Sequence, residues 1–269
     1  MTQALRLFIL ACDVVALFAV QTAVRSGFEP AYPLFFHKNY AGSLFAMGVV
    51  MLLCLRRELA LGPVARITSI VLLVTGTLAT QSRGALLSAA VGALVWLFSP
   101  RMTGRVQGRT RTAAIVLAVG FGVFAGYSVH QQLTASNLET NSAGVRFDVE
   151  SATRDLWEGS PLVGVGIRYF TTGSYGPFVI ASNNAINSEM AEAGGVGTAG
   201  FILLHLGTCV VLRRRSRKTP LASAALALVV GQLLHGMVDI YWSSGLTPIP
   251  FLVAGMALFE GERRWESRS

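Results

Sequence analysis

The chain has 269 residues, of which 52% are hydrophobic and only 13% charged, with a mean hydropathy of +0.55. Ordinary soluble domains carry about a quarter charged residues, so the composition excludes that class and indicates a multi-pass membrane protein. The formal charge of +8 would suit a nucleic-acid partner, but the basic residues fall in short runs between apolar segments, a pattern that signals membrane topology and argues for no nucleic acid.

A helix crossing the hydrocarbon needs about 20 mostly apolar residues. About eight segments approach that pattern, at Ala4–Val24, Asn39–Leu55, Val64–Thr80, Ala85–Phe98, Thr112–Val129, Val196–Leu212, Leu221–Val238 and Thr247–Phe259. The expected fold is all-α, a polytopic transmembrane helix bundle of about eight spans with a large extracytoplasmic helical loop between spans five and six. Residues 1–129 would hold the first five spans, 130–195 the loop, and 196–269 the last three spans and a tail. Arg6, the runs Arg56, Arg57 and Arg66, then Arg101, Arg105, Arg109 and Arg111, then Arg213 to Lys218, and the tail Arg263, Arg264 and Arg268 all fall on one side of that arrangement. Basic connections mark the cytoplasmic side, so both termini are expected to be cytoplasmic, in a cytoplasmic (inner) membrane. No small-residue cleavage site follows the first apolar segment, which is therefore read as a span. Cys12, Cys54 and Cys209 lie inside apolar segments and offer no disulfide framework.

The unusual polar residues collect on the opposite side, above all in the stretch from Asn141 to Gly195. From Ala143 to Glu158 the apolar Val145, Val149, Ala152 and Leu156 recur at helical spacing, while Arg146, Glu150 and Arg154 share another face. Gly159-Ser160-Pro161 ends that helix. A second helix is expected to start at Ser182 or Asn183, both good caps, and to run to Glu192 before Gly194-Gly195 interrupts it. Its open N-terminus would be an anion site.

Four motifs, in this order, resemble those of the O-antigen ligase and O-antigen polymerase family, membrane glycosyltransferases of the C-type superfamily. Phe36-His37-Lys38-Asn39-Tyr40-Ala41-Gly42 is similar to the family's Asn-containing start of a span, and Gln81-Ser82-Arg83-Gly84 to its Ser-Arg-Gly turn. Arg146 followed by Pro161-Leu162-Val163-Gly164-Val165-Gly166 resembles the opening of the large periplasmic loop, and Asn183-Asn184 with Glu192-Ala193-Gly194 its later part. The resemblance implies transfer of a glycan from an undecaprenyl-diphosphate-linked donor to a lipid- or glycan-linked acceptor at the outer face, among membrane lipids and with no cofactor. Two departures accompany it. Family members have more spans before the Asn-containing segment, so the chain reads as shortened at its N-terminus. Ligases also place a His where Asn183 stands, and an amide cannot take up a proton, which tilts the reading towards chain extension.

Such a transfer needs positive charge where the leaving diphosphate develops negative charge, and arginine binds phosphate oxygens in a bidentate manner. The expected catalytic residues are Arg83, Arg146 and Glu192, the last with Glu189 and Asp148 as alternative bases. Arg168, Asn183, Asn184 and Asn39 are the expected substrate-binding residues. Arg146 paired with Glu150 on a solvated face, and Asn183 and Asn184 as plain helix caps, are the competing structural readings. His37, His130, His205 and His235 are too scattered for a metal site. A transporter or flippase, or a non-catalytic accessory subunit, are the alternative functions.

Overall fold

The computed structural model describes residues 2–99, 112, 142–171, 182–239 and 247–266. Among these residues the chain is all-α. The helices are α1 (Thr2–Arg25), α2 (Lys38–Cys54), α3 (Pro63–Thr80), α4 (Arg83–Leu97), α5 (Ser142–Gly159), α6 (Ala185–Arg215), α7 (Pro220–Gly236) and α8 (Pro248–Glu266), with single 3-10 turns at Pro33–Phe35 and Tyr169–Thr171. Pro63, Pro220 and Pro248 each open a helix, where the missing N–H costs nothing and the fixed φ suits the first turn.

Three helices, α1, α3 and α6, are long and apolar enough to cross a membrane, which marks a membrane protein. The expected count of eight is not reached on that criterion. Helices α2, α4 and α7 are apolar but have 17, 15 and 17 residues, so at about 1.5 Å per residue they extend about 23–26 Å, short of the roughly 30 Å of hydrocarbon. In α8 the apolar part is Pro248–Phe259. The expected fifth span lies, beyond Thr112, outside the described residues, as does the basic run before it.

The chain divides into two compact units. The first comprises Met1–Ala118, Thr208–His235 and Pro248–Ser269, the second Val119–Gly207 and Gly236–Thr247. In the first, α2 is buried on nearly every side, from Ala41 to Ser43 and from Phe45 to Leu52, as expected of a helix apolar all round. It packs against α1, α3 and α4. Small residues set the spacing: a Cβ on Gly76 of α3 would lie 2.8 Å from that of Ala16 on α1, and one on Gly92 of α4 2.7 Å from Val50 on α2. Close backbone approach of this kind substitutes for a hydrophobic drive between helices in lipid.

Several polar groups inside this unit are paired across helices. Gln232 of α7 accepts from Ser43 Oγ of α2 at 2.9 Å and donates to Ser88 Oγ of α4 at 3.0 Å, so one amide ties three helices. Ser69 of α3 donates to Asp13 of α1 at 2.6 Å. At one end of the unit Arg6 Nε donates to the Leu59 carbonyl at 2.6 Å. At the other, Ala31 N–H donates to the Ala79 carbonyl at 3.0 Å and Gln81 Nε2 to that of Phe28 at 2.8 Å, tying the α1–α2 connection to the end of α3.

Candidate functional site

In the first unit the two leading motifs meet. Gln81 ends α3 in the left-handed region with φ 51°, and Ser82 then caps α4, its Oγ accepting from Ala85 N–H at 3.3 Å. A Cβ on Gly42 of α2 would lie 2.9 Å from Ser82 Cβ, Ala85 Cβ and Thr80 Oγ1, so the start of α2, with the buried Asn39 one turn earlier, is pressed onto the Ser82-Arg83-Gly84 turn. His235, at the end of α7 and fully buried, covers Gly84: a Cβ there would be 2.4 Å from His235 Cδ2. Arg83 itself is half-buried on the first turn of α4. The N-terminus of a helix carries partial positive charge, so Arg83 adds a cation where the field is already positive. An anion gains from both.

In the second unit the Pro161–Gly166 turn and the Glu192–Val196 stretch form one interlocked structure. Gly194 has φ 62° and ψ −166° inside α6, so the helix breaks there and the carbonyls of Ala191 and Glu192, with the N–H groups of Gly195 and Val196, lose their helical partners. The turn supplies replacements. Val165 N–H donates to the Ala191 carbonyl at 2.8 Å and Gly166 N–H to that of Glu192 at 3.0 Å, while Gly195 and Val196 donate to Pro161 and Leu162 at 2.8 and 3.2 Å. Buried or half-buried backbone groups need such partners, and here two segments that lie far apart in sequence provide them for each other.

Glu192 belongs to this lock. One of its carboxylate oxygens accepts from Arg168 N–H at 3.0 Å and the other from Phe170 N–H at 3.3 Å. Arg168 has φ 67°, a left-handed backbone uncommon for a non-glycine residue, and the Glu192 carboxylate holds it there. Glu192, expected as a base, thus has both oxygens turned to the loop backbone. Arg168, expected to bind substrate, is exposed on that loop.

The helix expected from Ala143 to Glu158 is α5, matched to within a residue at each end. Arg146 lies on it. Glu150 is half-buried: Ser182 Oγ donates to its Oε1 at 2.6 Å and Asn187 Nδ2 to its Oε2 at 2.5 Å, while the Arg146 side chain, and with it the expected pairing to Glu150, lies outside what the structure describes. The cap of α6 is neither Ser182 nor Asn183 but Asn184, whose Oδ1 accepts from Ile186 and Asn187 N–H at 2.9 and 3.4 Å. The expected open anion site at this terminus is therefore filled by the chain's own side chain. Ser182 instead accepts from Asn184 N–H at 2.9 Å and fixes the approach to the helix. Asn183 is half-buried beside the cap.

Glu189 was expected only as an alternative base. It lies on the polar lead of α6, before the Gly194 break and the apolar run. Burial, then the nearby Glu192 charge, raises its pKa above the ordinary 4.5. Such a group favours folding while protonated, and that contribution fades as pH climbs through its raised pKa. Glu189→Gln is therefore expected to unfold at the same temperature as the native chain near pH 4 and at a higher one near pH 7. Thermal unfolding at the two pH values checks this, and parallel curves would refute it.

Of the expected site residues, Asn39 and Arg83 belong to the first unit and Arg146, Arg168, Asn183, Asn184 and Glu192 to the second. His205 of α6 bonds the Phe201 carbonyl one turn back at 2.8 Å, a contact within its own helix. No protein-family model matches the chain, and no curated protein matches it significantly.

Proposed function

We propose that the protein is a membrane-embedded glycosyltransferase of the O-antigen ligase and polymerase type, moving a glycan from an undecaprenyl-diphosphate-linked donor to an acceptor hydroxyl at the outer face. The observation that carries this reading is the Ser82-Arg83-Gly84 turn: a half-buried arginine on the positive end of α4, with the Asn39–Gly42 segment packed onto the same turn. The proposed topology has about eight spans, the shorter helices α2, α4, α7 and α8 crossing beside the longer ones, and both termini cytoplasmic. In the reaction the acceptor oxygen bonds to the anomeric carbon, the bond from that carbon to the diphosphate oxygen breaks, and undecaprenyl diphosphate leaves. Arg83 is assigned to the diphosphate charge, acting as a cation on the first turn of α4, and Arg146 is proposed as a second cation from its place in the loop motif alone. The acceptor proton passes to a carboxylate. Glu189, with its acidity weakened by burial, suits that role better than Glu192, which is engaged by the loop backbone.

The test is transfer from a fluorescent undecaprenyl-diphosphate oligosaccharide by the purified chain in nanodiscs. Arg83→Ala and Arg146→Ala are each expected to lose about a hundredfold or more in rate while inserting and folding as the native chain does. Laddered products without added acceptor identify a polymerase, and a single acceptor-dependent product a ligase. Native rates in both variants would remove the mechanism. No transfer by the well-folded native chain would remove the enzyme reading.

A further inference from the structure

The second unit holds a cleft that none of the residues discussed above explains. It measures about 360 Å³ and is lined by Thr153, Arg154, Trp157 and Glu158 of α5 and by Asn187 and Met190 of α6. Its volume falls at the small end of ordinary ligand sites. Trp157 forms its aromatic element and is fixed in place, because the indole Nε1–H donates to the Pro161 carbonyl at 3.2 Å, which belongs to the interlocked turn. Asn187 is equally oriented: its Nδ2 donates to Glu150 at 2.5 Å, leaving its carbonyl oxygen and its second N–H to offer a ligand. Arg154 and Glu158 flank the tryptophan on the exposed side, one turn apart, and among the described residues neither makes an ion pair or a hydrogen bond.

The geometry points to a pyranose-binding subsite, with a sugar ring lying against Trp157 and its hydroxyls bonded to Arg154, Glu158 and Asn187. A phosphorylated ligand would meet the Glu158 carboxylate, and an alkyl chain would strand two charges and an amide without partners. A pyranose satisfies the whole set. Its axial C–H face matches an aromatic surface, and its rim of hydroxyls both donates and accepts, as a guanidinium, a carboxylate and an amide together require. Preorientation of Trp157 and Asn187 by bonds to Pro161 and Glu150 lowers the ordering cost of binding. That the bound ring is a sugar of the donor or acceptor rests on the transferase reading; that the cleft takes a sugar does not.

The experiment is saturation-transfer NMR on the full chain in nanodiscs. The probes are the methyl glycosides of glucose, galactose, mannose and N-acetylglucosamine, and the free oligosaccharide released from the transfer donor. At least one probe is expected to bind, with saturation strongest on the protons of one ring face. Trp157→Ala is expected to weaken it about tenfold or more, and Trp157→Phe to keep most of it. Arg154→Ala with Glu158→Gln alters only exposed side chains and is expected to weaken binding similarly, which keeps the test valid should Trp157→Ala unfold. No binding of any probe, or binding unchanged in the Arg154/Glu158 variant, overturns the inference even where native transfer persists. Cleft-dependent binding by a chain that transfers nothing supports the subsite and removes only the transferase reading.

Discussion

Replacing Gly194 by alanine is expected to destabilise the protein by about 3 kcal/mol or more, among the largest effects of any single methyl group in this chain. Two costs combine. The backbone at φ 62° and ψ −166° is in a region that L side chains essentially do not occupy. The added Cβ would also sit 2.3 Å from the carbonyl carbon and oxygen of Leu162 and 2.4 Å from the Val163 nitrogen, backbone atoms that cannot rotate away. Relief requires separating the Pro161–Gly166 turn from α6, and separation strands the carbonyls of Ala191 and Glu192 and the N–H groups of Gly195 and Val196 together. Because Glu192 holds Arg168 and Phe170 through the same structure, the whole loop should loosen. Thermal unfolding and limited proteolysis within residues 160–171 measure the outcome. The control is Gly200→Ala in the apolar part of α6, where a Cβ meets nothing within 4 Å. That change should be neutral or stabilising by up to about 1 kcal/mol. Equal behaviour of the two variants would show that the interlock does not hold the loop.

Gly84→Ala is the second large effect, expected at about 2–3 kcal/mol with a signature that a generic loss of stability lacks. Gly84 is helical, so alanine there should gain up to about 1 kcal/mol from propensity alone. Against that gain, the new Cβ would lie 2.4 and 2.6 Å from Cδ2 and Nε2 of His235, a side chain with 0% exposure and no room to retreat. His235→Ala should be destabilising alone yet should rescue Gly84→Ala. The double variant is expected to be more stable than the sum of the single effects by about 1–3 kcal/mol. Strictly additive effects would mean that α7 does not press on the turn. Arg83 adjoins the clash, so under the proposed transferase function Gly84→Ala should also lower transfer beyond what its folded fraction explains, and the His235→Ala background should restore part of it.

Much of this architecture was legible along the chain. Apolar runs located the helices, prolines opened three of them, and the 3.6-residue recurrence of Val149, Ala152 and Leu156 placed α5 nearly to the residue. Span counting went less well because composition reports that a helix avoids water, not whether lipid or protein surrounds it. The 17 residues of α2 read as a span in sequence, yet they are buried by neighbouring helices and fall short of the length that marks a span on its own, so the crossing of α2 belongs to the proposed topology. The cap of α6 was misplaced for a related reason. Ser182, Asn183 and Asn184 have nearly equal capping tendencies, and Glu150, 32 residues earlier, decides among them by drawing Ser182 away.

Sequence alone determined the all-helical class, the membrane setting and the clustering of polar residues and glycines at a few turns, since these follow from hydropathy and local backbone preference. Tertiary structure decided what several of the marked residues touch. Glycine at 164 and 194 marked two separate breaks until the carbonyls freed by one were found bonded to the N–H groups of the other. Glu192 was a carboxylate of unknown purpose until both its oxygens met loop amides. Trp157, Asn187 and Met190 carried no signal at all, because a cleft between two helices exists only once their faces are set opposite each other. The physical reason is common to these cases: hydrogen bonds and steric contacts act over a few ångströms in space, and separation along the chain does not record that proximity.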